Sequence, residues 1–322
     1  MKPIAGIITG IVILLGIVNF VGIAKLVPIL AKMNFHLLLQ AIGLSLAILL
    51  FHSIRLKLIL NAQKYPLSLW NATKIHVSTN ALNLMTPVVK VGGIPLKVDY
   101  LSKTNMPSIM SCASVVGEIV TETISFFTTL VFLLLFLIFT DRLPTEYAYI
   151  GTILVLLFGG LLLISLKIIF SRKSLENFIR RGILKFTTID AALASKQFNC
   201  SINAYVSNKP LLYSTLFISF FCRLLELARI NLIFLAFGFN VSISLIVTVW
   251  VLEAFFSGLP GFPGGIGLVE VGSIYALTLL GVPVAIATPI ILINRLIGHW
   301  TPLIIGGITL SSLKRNGIKC EI

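Results

Sequence analysis

Charge is what this chain has least of. Only 11% of its 322 residues are Asp, Glu, Lys or Arg, against about a quarter in a soluble domain. With 57% apolar residues and a mean hydropathy of +1.03, too little polar side chain remains to cover a water-facing surface. That excludes a soluble fold and predicts a polytopic all-α membrane protein. Cysteine is also sparse. Cys112, Cys200, Cys222 and Cys320 form no CxxC and no paired spacing, so neither a disulfide framework nor a metal cluster is expected. HExxH, the P-loop, GxSxG and paired DxxD carboxylates are all missing, so the chain is expected to be neither an enzyme nor dependent on a cofactor. Ser273, in Val-Gly-Ser-Ile, is better explained as a small helix-packing residue than as a nucleophile activated by His299.

What charge there is carries one dominant sign. Lys and Arg number 25 against 11 Asp and Glu, a net +14. The basic residues cluster in short loops beside apolar runs, which is the positive-inside pattern rather than a basic nucleic-acid-binding domain. The chain is therefore expected to meet anionic membrane lipids and no nucleic acid.

Apolar runs predict six full spans at about 4–24, 35–57, 106–139, 147–170, 211–237 and 283–311, each long enough for the roughly 20 residues a crossing needs. The run within Met1–Ala24 exceeds a signal peptide's apolar core of about 7–15 residues, so it is expected to be a retained span. Residues 171–209 carry seven basic residues and two acids, which places this loop on the cytoplasmic side of the cell membrane. Arg55, Lys57 and Lys64, and the C-terminal Lys314, Arg315 and Lys319, follow it there, while Lys25 and Lys32 fall outside against the rule. Within the loop, Leu175, Phe178, Ile179, Ile183, Phe186, Ile189 and Leu193 recur at helical spacing among basic residues, as in an amphipathic helix on a membrane surface. A single membrane domain thus divides into a first half (1–170), this connector (171–209) and a second half (210–322).

Two further apolar segments are interrupted. Residues 68–103 break at Pro87 and at Gly92-Gly93; residues 244–280 break at Pro260, Gly261, Pro263, Gly264, Gly265 and Gly267. Proline removes a backbone donor and glycine stabilises no helix. In hydrocarbon such a break persists only where protein or water surrounds it. With the orientation above, the first segment enters and leaves on the cytoplasmic side and the second on the outer side. Thr86-Pro87-x4-Gly92-Gly93-Ile94-Pro95 echoes Leu259-Pro260-x3-Gly264-Gly265-Ile266-Gly267. Two re-entrant broken hairpins of opposite orientation, forming an inverted repeat, are the architecture this predicts. Two unrelated kinked helices are the plainer alternative.

Ionisable residues inside spans mark cavities or packing pairs. Glu118 and Glu122 share a helix face, as do Arg295 and His299; Arg223, Glu226 and Arg229 recur at three-residue spacing. Glu253 and Glu270 lie on the two arms of the second broken segment, and Lys90 and Lys97 flank the first Gly-Gly. Arg295 and Arg223 are candidates to hold the phosphate of a lipid headgroup through forked hydrogen bonds, with Glu118, Glu122, Glu270, Glu253, His299 and Lys97 lining the same cavity. Buried pairs such as Arg223–Glu226 or Arg295–Glu118, serving helix packing alone, are the competing explanation.

The run Pro-Gly-Phe-Pro-Gly-Gly-Ile-Gly-Leu-Val-Glu at 260–270, the downstream Asn294-Arg295, and the Pro87–Gly93 segment ahead of a Glu-bearing helix resemble the flippase-like integral membrane family. That family includes the transmembrane region of lysylphosphatidylglycerol synthases, together with relatives linked to hopanoid and archaeal glycan pathways. The resemblance covers nearly the whole chain. It implies two re-entrant hairpins and movement of an anionic or polyprenyl-linked lipid between leaflets, and no soluble aminoacyl-transferring domain after the last span. Where the family often has Glu-Arg, this chain has Glu118-Ile119; Lys97 stands where the family often carries a basic residue after the first glycines. A membrane-embedded enzyme acting on a lipid headgroup through Glu118 and His299, and a non-catalytic scaffold of a biosynthetic complex, remain alternatives. A homo-oligomer or a biosynthetic partner enzyme remains open.

Overall fold

The computed structural model describes residues 28–86, 92–139, 191–258 and 262–316, with isolated positions at 153, 156, 159 and 160. The described residues form helices joined by turns, with no strand among them. In chain order these are α1 (Phe35–Ala62), α2 (Leu69–Met85), α3 (Gly93–Ser102), α4 (Ser108–Phe139), α5 (Ala191–Ser207), α6 (Lys209–Ala236), α7 (Ile243–Gly258), α8 (Leu268–Leu279), α9 (Val284–Arg295) and α10 (Thr301–Asn316). A single π-turn, Leu296–Trp300, joins α9 to α10. Pro302 follows at once, and its missing N–H removes a regular helical hydrogen bond where the turn widens.

Four helical stretches among the described residues are long and apolar enough to cross a membrane: Phe35–Ala62, Ser108–Phe136, Lys209–Ala236 and Val284–Leu313. They correspond to four of the six expected spans. The other two, 4–24 and 147–170, fall outside the described residues except for the four isolated positions. Large apolar side chains such as Trp70, Phe217 and Ile308 stand exposed on the helices. Water would penalise this; lipid does not.

The two interrupted segments are each a pair of helices. α7 has 16 residues and α8 has 12, so at a rise of 1.5 Å they run about 24 and about 18 Å, short of a hydrocarbon core of about 30 Å. The first segment divides into α2 and the 10-residue α3. Pro87, Lys90, Pro260 and Gly261 lie outside the described residues, as does most of the expected amphipathic stretch 175–193.

The chain forms two compact units. One comprises the described residues up to Ser53, Thr73–Lys97 and those from Leu224 onward; the other comprises Ile54–Ala72 and Val98–Arg223. Both draw on the two halves of the sequence, and the boundaries cut through α1, α2, α3 and α6. In the first unit α7 packs on α8 and α8 on α9, around Val249, Trp250, Val269, Leu277, Ile290 and Ile291, all buried. Backbones approach closely here. A β-carbon on Gly306 would strike the Val77 carbonyl of α2, and one on Gly272 would strike the Phe256 ring of α7. In the second unit α5 lies along α4, with Phe198 and Ile202 against Ala113 and Val116, while Tyr205 packs with Ile59 and Leu211. The last part of the connector is therefore a packed helix with a buried face.

Candidate functional site

Each unit buries its own arginine–glutamate cluster. In the first unit the cluster is built around the break between α7 and α8. Gly264, Gly265 and Gly267 all take positive φ, at 56°, 70° and 90°, a region that a β-carbon disfavours. Space is short as well, because a β-carbon on Gly265 would sit 2.8 Å from the Phe256 carbonyl oxygen and one on Gly264 would strike the His299 ring. These glycines let the chain reverse tightly and start α8. The Gly267 N–H then donates to Glu270 Oε2 at 2.7 Å. Glu270 thus caps α8 from its first turn, where the helix dipole favours a negative charge.

Arg295, at the end of α9, closes the arrangement. Its Nε donates to Glu270 Oε1 at 3.0 Å and its Nη2 to the Gly264 carbonyl at 2.7 Å. Both side chains are buried, at 5% and 0% exposure. One guanidinium therefore ties the carboxylate that caps α8 to the backbone of the break. The π-turn that follows holds His299 against Gly264, and its Nε2 has no hydrogen-bond partner. Ser273 is fully buried and its Oγ is likewise unpartnered, so Ser273 and His299 form no nucleophile–base pair.

A second set of charges occupies the same unit. Arg229 on α6 lies 3.5 Å from Glu253 on α7, and Trp250 Nε1 donates to Glu226 at 2.8 Å. Gly298, in the π-turn, leaves room for the Arg229 guanidinium; a β-carbon there would sit 2.6 Å from its Nη1. At the first break, Asn83 Oδ1 accepts the Gly93 N–H at 2.8 Å and so caps α3, while a β-carbon on Gly92 would strike Thr86. Lys97 is buried in α3.

The described ion pairs of the second unit's cluster join side chain to side chain. Arg55 on α1 donates to Glu118 at 3.0 Å and to Ser219 Oγ at 2.7 Å, and lies 3.8 Å from Glu122. Arg223 on α6 pairs with Glu122 at 3.2 Å. Exposure is 1% for Arg55 and 5% for Glu118, against 12% for Arg223 and 21% for Glu122. Glu122, the most exposed of the four, is shared by both arginines.

Arg55 is the cluster residue absent from the expected site residues. Counted only with Lys57 and Lys64 as a marker of the cytoplasmic side, it is among the largest fully buried side chains described. A signal existed. Arg55 lies within the apolar run 35–57, where an arginine calls for a carboxylate partner, and Glu118 supplies it. One expected packing pair changes partner: Arg295 pairs with Glu270 rather than Glu118. Arg223 also reaches across to Glu122 of α4, and Trp250 donates to Glu226.

The chain is similar throughout to known membrane proteins. The family described as the lysylphosphatidylglycerol synthase TM region matches residues 4–306. A UPF0104 membrane protein of Methanothermobacter thermautotrophicus is 24% identical over 91% of this chain and 90% of its own length. One from Methanocaldococcus jannaschii is 22% identical over 96% and 94%, and one from Pyrococcus horikoshii 24% identical over 96% of both chains. No solved structure matches.

Proposed function

This chain belongs to the family of the lysylphosphatidylglycerol synthase transmembrane region, and we propose that within it the chain works as a lipid translocase, moving an anionic, phosphate-bearing lipid between leaflets without covalent chemistry. The observation that carries this reading is the network of Arg55, Glu118, Arg223 and Glu122 inside membrane-spanning helices, whose most exposed member, Glu122, is shared by two arginines. Arginines already paired with carboxylates accept a phosphate most readily by exchange for one of them. Glu122 is the carboxylate built to be exchanged: it is the most accessible of the four, and its departure leaves Arg55 paired with Glu118. A headgroup phosphate would then take the place of Glu122 on the Arg223 guanidinium, whose planar fork suits it. The displaced carboxylate would turn to water or take up a proton, so the exchange could be coupled to protons.

The two broken helix pairs support the same reading. Taken as re-entrant hairpins, they would bring polar backbone to mid-membrane depth, as transporter sites do. Arg295 and Glu270 would then hold the second hairpin's turn in shape rather than touch the lipid. The acyl or prenyl chains would stay in the bilayer while the headgroup moves.

The test is leaflet exchange in vesicles. Protein reconstituted with a fluorescent anionic phospholipid should speed its exchange, Arg223→Gln should abolish most of the gain, and a zwitterionic lipid should respond less. Wild-type protein that keeps its fold in the vesicles yet speeds exchange of no anionic lipid would sink the proposal.

A further inference from the structure

A cavity of about 230 Å³ opens in the second unit where the end of α1, the start of α4, the end of α5 and the start of α6 meet. None of the four network charges lines it. We propose that this cavity is a separate binding site for an anionic amphiphile, taking a phosphate headgroup at its mouth and the first carbons of a chain against its wall.

The walls and the mouth differ in chemistry. Ala62, Met110, Ala204 and Leu211 give an apolar lining, with Lys64 and Asn208 also bordering the space. Asn208 caps α6, its Oδ1 accepting the Leu211 N–H at 3.3 Å. A backbone N–H can only donate, so this bond fixes which side of the amide faces the helix and turns the Asn208 NH2, a donor of two bonds, the other way. Lys64 adds an ammonium, a donor with no acceptor capacity. Lining the space between them, Tyr205 is a neutral phenol. Burial pushes its ionisation above the ordinary range, against the opposing pull of its hydrogen bonds to Thr215 and Thr121. No Asp or Glu lines the cavity. A mouth of donors over an apolar wall fits an anion carrying a tail, and disfavours a cation.

Lys64 is held at this position by the backbone. It ends α1 at φ 66°, the left-handed cap usually given to glycine, and the Tyr65 N–H closes the cap on the Leu60 carbonyl at 3.0 Å. A lysine here costs conformational energy that glycine would not. Size sets the occupant's reach. Drug-sized ligands fill about 300–1,000 Å³, so the cavity holds a headgroup and a short stretch of chain, with the remainder outside.

Cys200 lines the cavity and is exposed, which makes it a native reporter. Purified full-length protein in a neutral detergent would be labelled with a maleimide, with Cys200→Ser subtracting the other cysteines. Decyl phosphate should slow Cys200 labelling about tenfold at saturation, while decanol, decyltrimethylammonium and inorganic phosphate should leave it within about twofold, since a useful affinity needs tail and anion together. Lys64→Gln should raise the half-protecting concentration about threefold to fivefold, the scale of one partly exposed charge contact. Lys64→Gly should weaken protection equally while stabilising the fold, because glycine suits that cap. No protection by decyl phosphate would overturn the proposal. So would equal protection by decanol, which would make the cavity merely apolar, or by inorganic phosphate alone, which would make it a free-anion site. Unchanged protection in both Lys64 variants would remove the headgroup role. The readout is binding at Cys200, so a protein that fails to exchange lipids can still pass or fail this test.

Discussion

The two arginine–glutamate clusters use the same residue types in opposite ways. Around the second break, Arg295 and Glu270 each bond to backbone as well as to one another, and neither is accessible. In the other unit, the described ion pairs of Arg55, Glu118, Arg223 and Glu122 join side chain to side chain, and the Arg223–Glu122 pair is more exposed than the Arg55–Glu118 pair. The difference is one of slack. A charge pair that also satisfies backbone groups of a glycine turn cannot rearrange without undoing the turn. A network of side-chain pairs whose most accessible carboxylate bridges two arginines can release that carboxylate while Arg55 keeps Glu118. The first cluster therefore suits holding a shape, and the second suits binding and release.

Breaking the tighter cluster should have the largest effect. Arg295→Met leaves the Glu270 charge buried and the Gly264 carbonyl without its donor. Losing one partner of a buried pair costs about 3–5 kcal/mol, enough to deplete folded protein in detergent, read as a large fall in thermal midpoint or loss of a monodisperse peak. Adding Glu270→Leu removes the stranded charge and should recover much of the loss. Arg295→Met with wild-type stability would mean that the pair does not hold the break.

The equivalent cut in the looser cluster should cost less. Arg55→Gln removes the guanidinium 3.0 Å from Glu118, but Arg223 stays in the network beside Glu122 and can be drawn toward the deficit. We expect a loss of about 2 kcal/mol, in the range of one lost charged hydrogen bond, seen as a smaller drop in midpoint than for Arg295→Met. If the order of the two variants were reversed, the assignment of rigid and exchangeable clusters would be reversed with it.

Gly264→Ala probes the backbone side of the same contrast. The new methyl must adopt a positive φ and meet the His299 ring, a cost of about 1–3 kcal/mol. His299→Ala in the same chain opens the space without curing the φ, so it should restore part of the midpoint and no more. Full rescue would show that His299 sterics, rather than the turn, require glycine at this position.

How much of this was legible from sequence depends on the kind of signal. Long apolar runs fixed four spans to within a few residues, because hydrophobic length is a local property. The break at 258–267 was equally local, written in its prolines and glycines. Pairing was not. Arg55 and Glu118 stand 63 residues apart, and Arg295 and Glu270 stand 25 apart; helical spacing orders residues along one helix and says nothing about the helix opposite. Hence spacing along α6 pointed Arg223 to Glu226 but could not name Glu122 of α4, which lies 3.2 Å from it. Arg55 was passed over for a related reason. Positive-inside counting assigns basic residues near span ends to water, and Arg55 stood two residues from the expected end at 57; α1 extends to Ala62, so Arg55 lies two turns inside the helix.

Glu122→Gln should have the smallest effect on stability and separates the two clusters most sharply. Glutamine keeps the shape and a carbonyl for Arg223 while removing one charge. Arg55 retains Glu118 and Ser219, and Glu122 is partly accessible, so the cost should stay within about 1 kcal/mol. A useful scale is Asp99→Asn, which breaks the exposed Lys103 pair on α3 and should shift stability by no more than about 0.5 kcal/mol. Transport should respond differently. If the headgroup phosphate and the Glu122 carboxylate compete for Arg223, removing the carboxylate's charge removes that competitor. Anionic lipid should then bind more tightly, and its release should slow. Exchange would fall while equilibrium binding of the same lipid rises, with the fold intact by its midpoint. A Glu122→Gln protein that lowers binding and exchange together would instead place Glu122 among the structural charges, and the contrast between the clusters would reduce to a difference in burial.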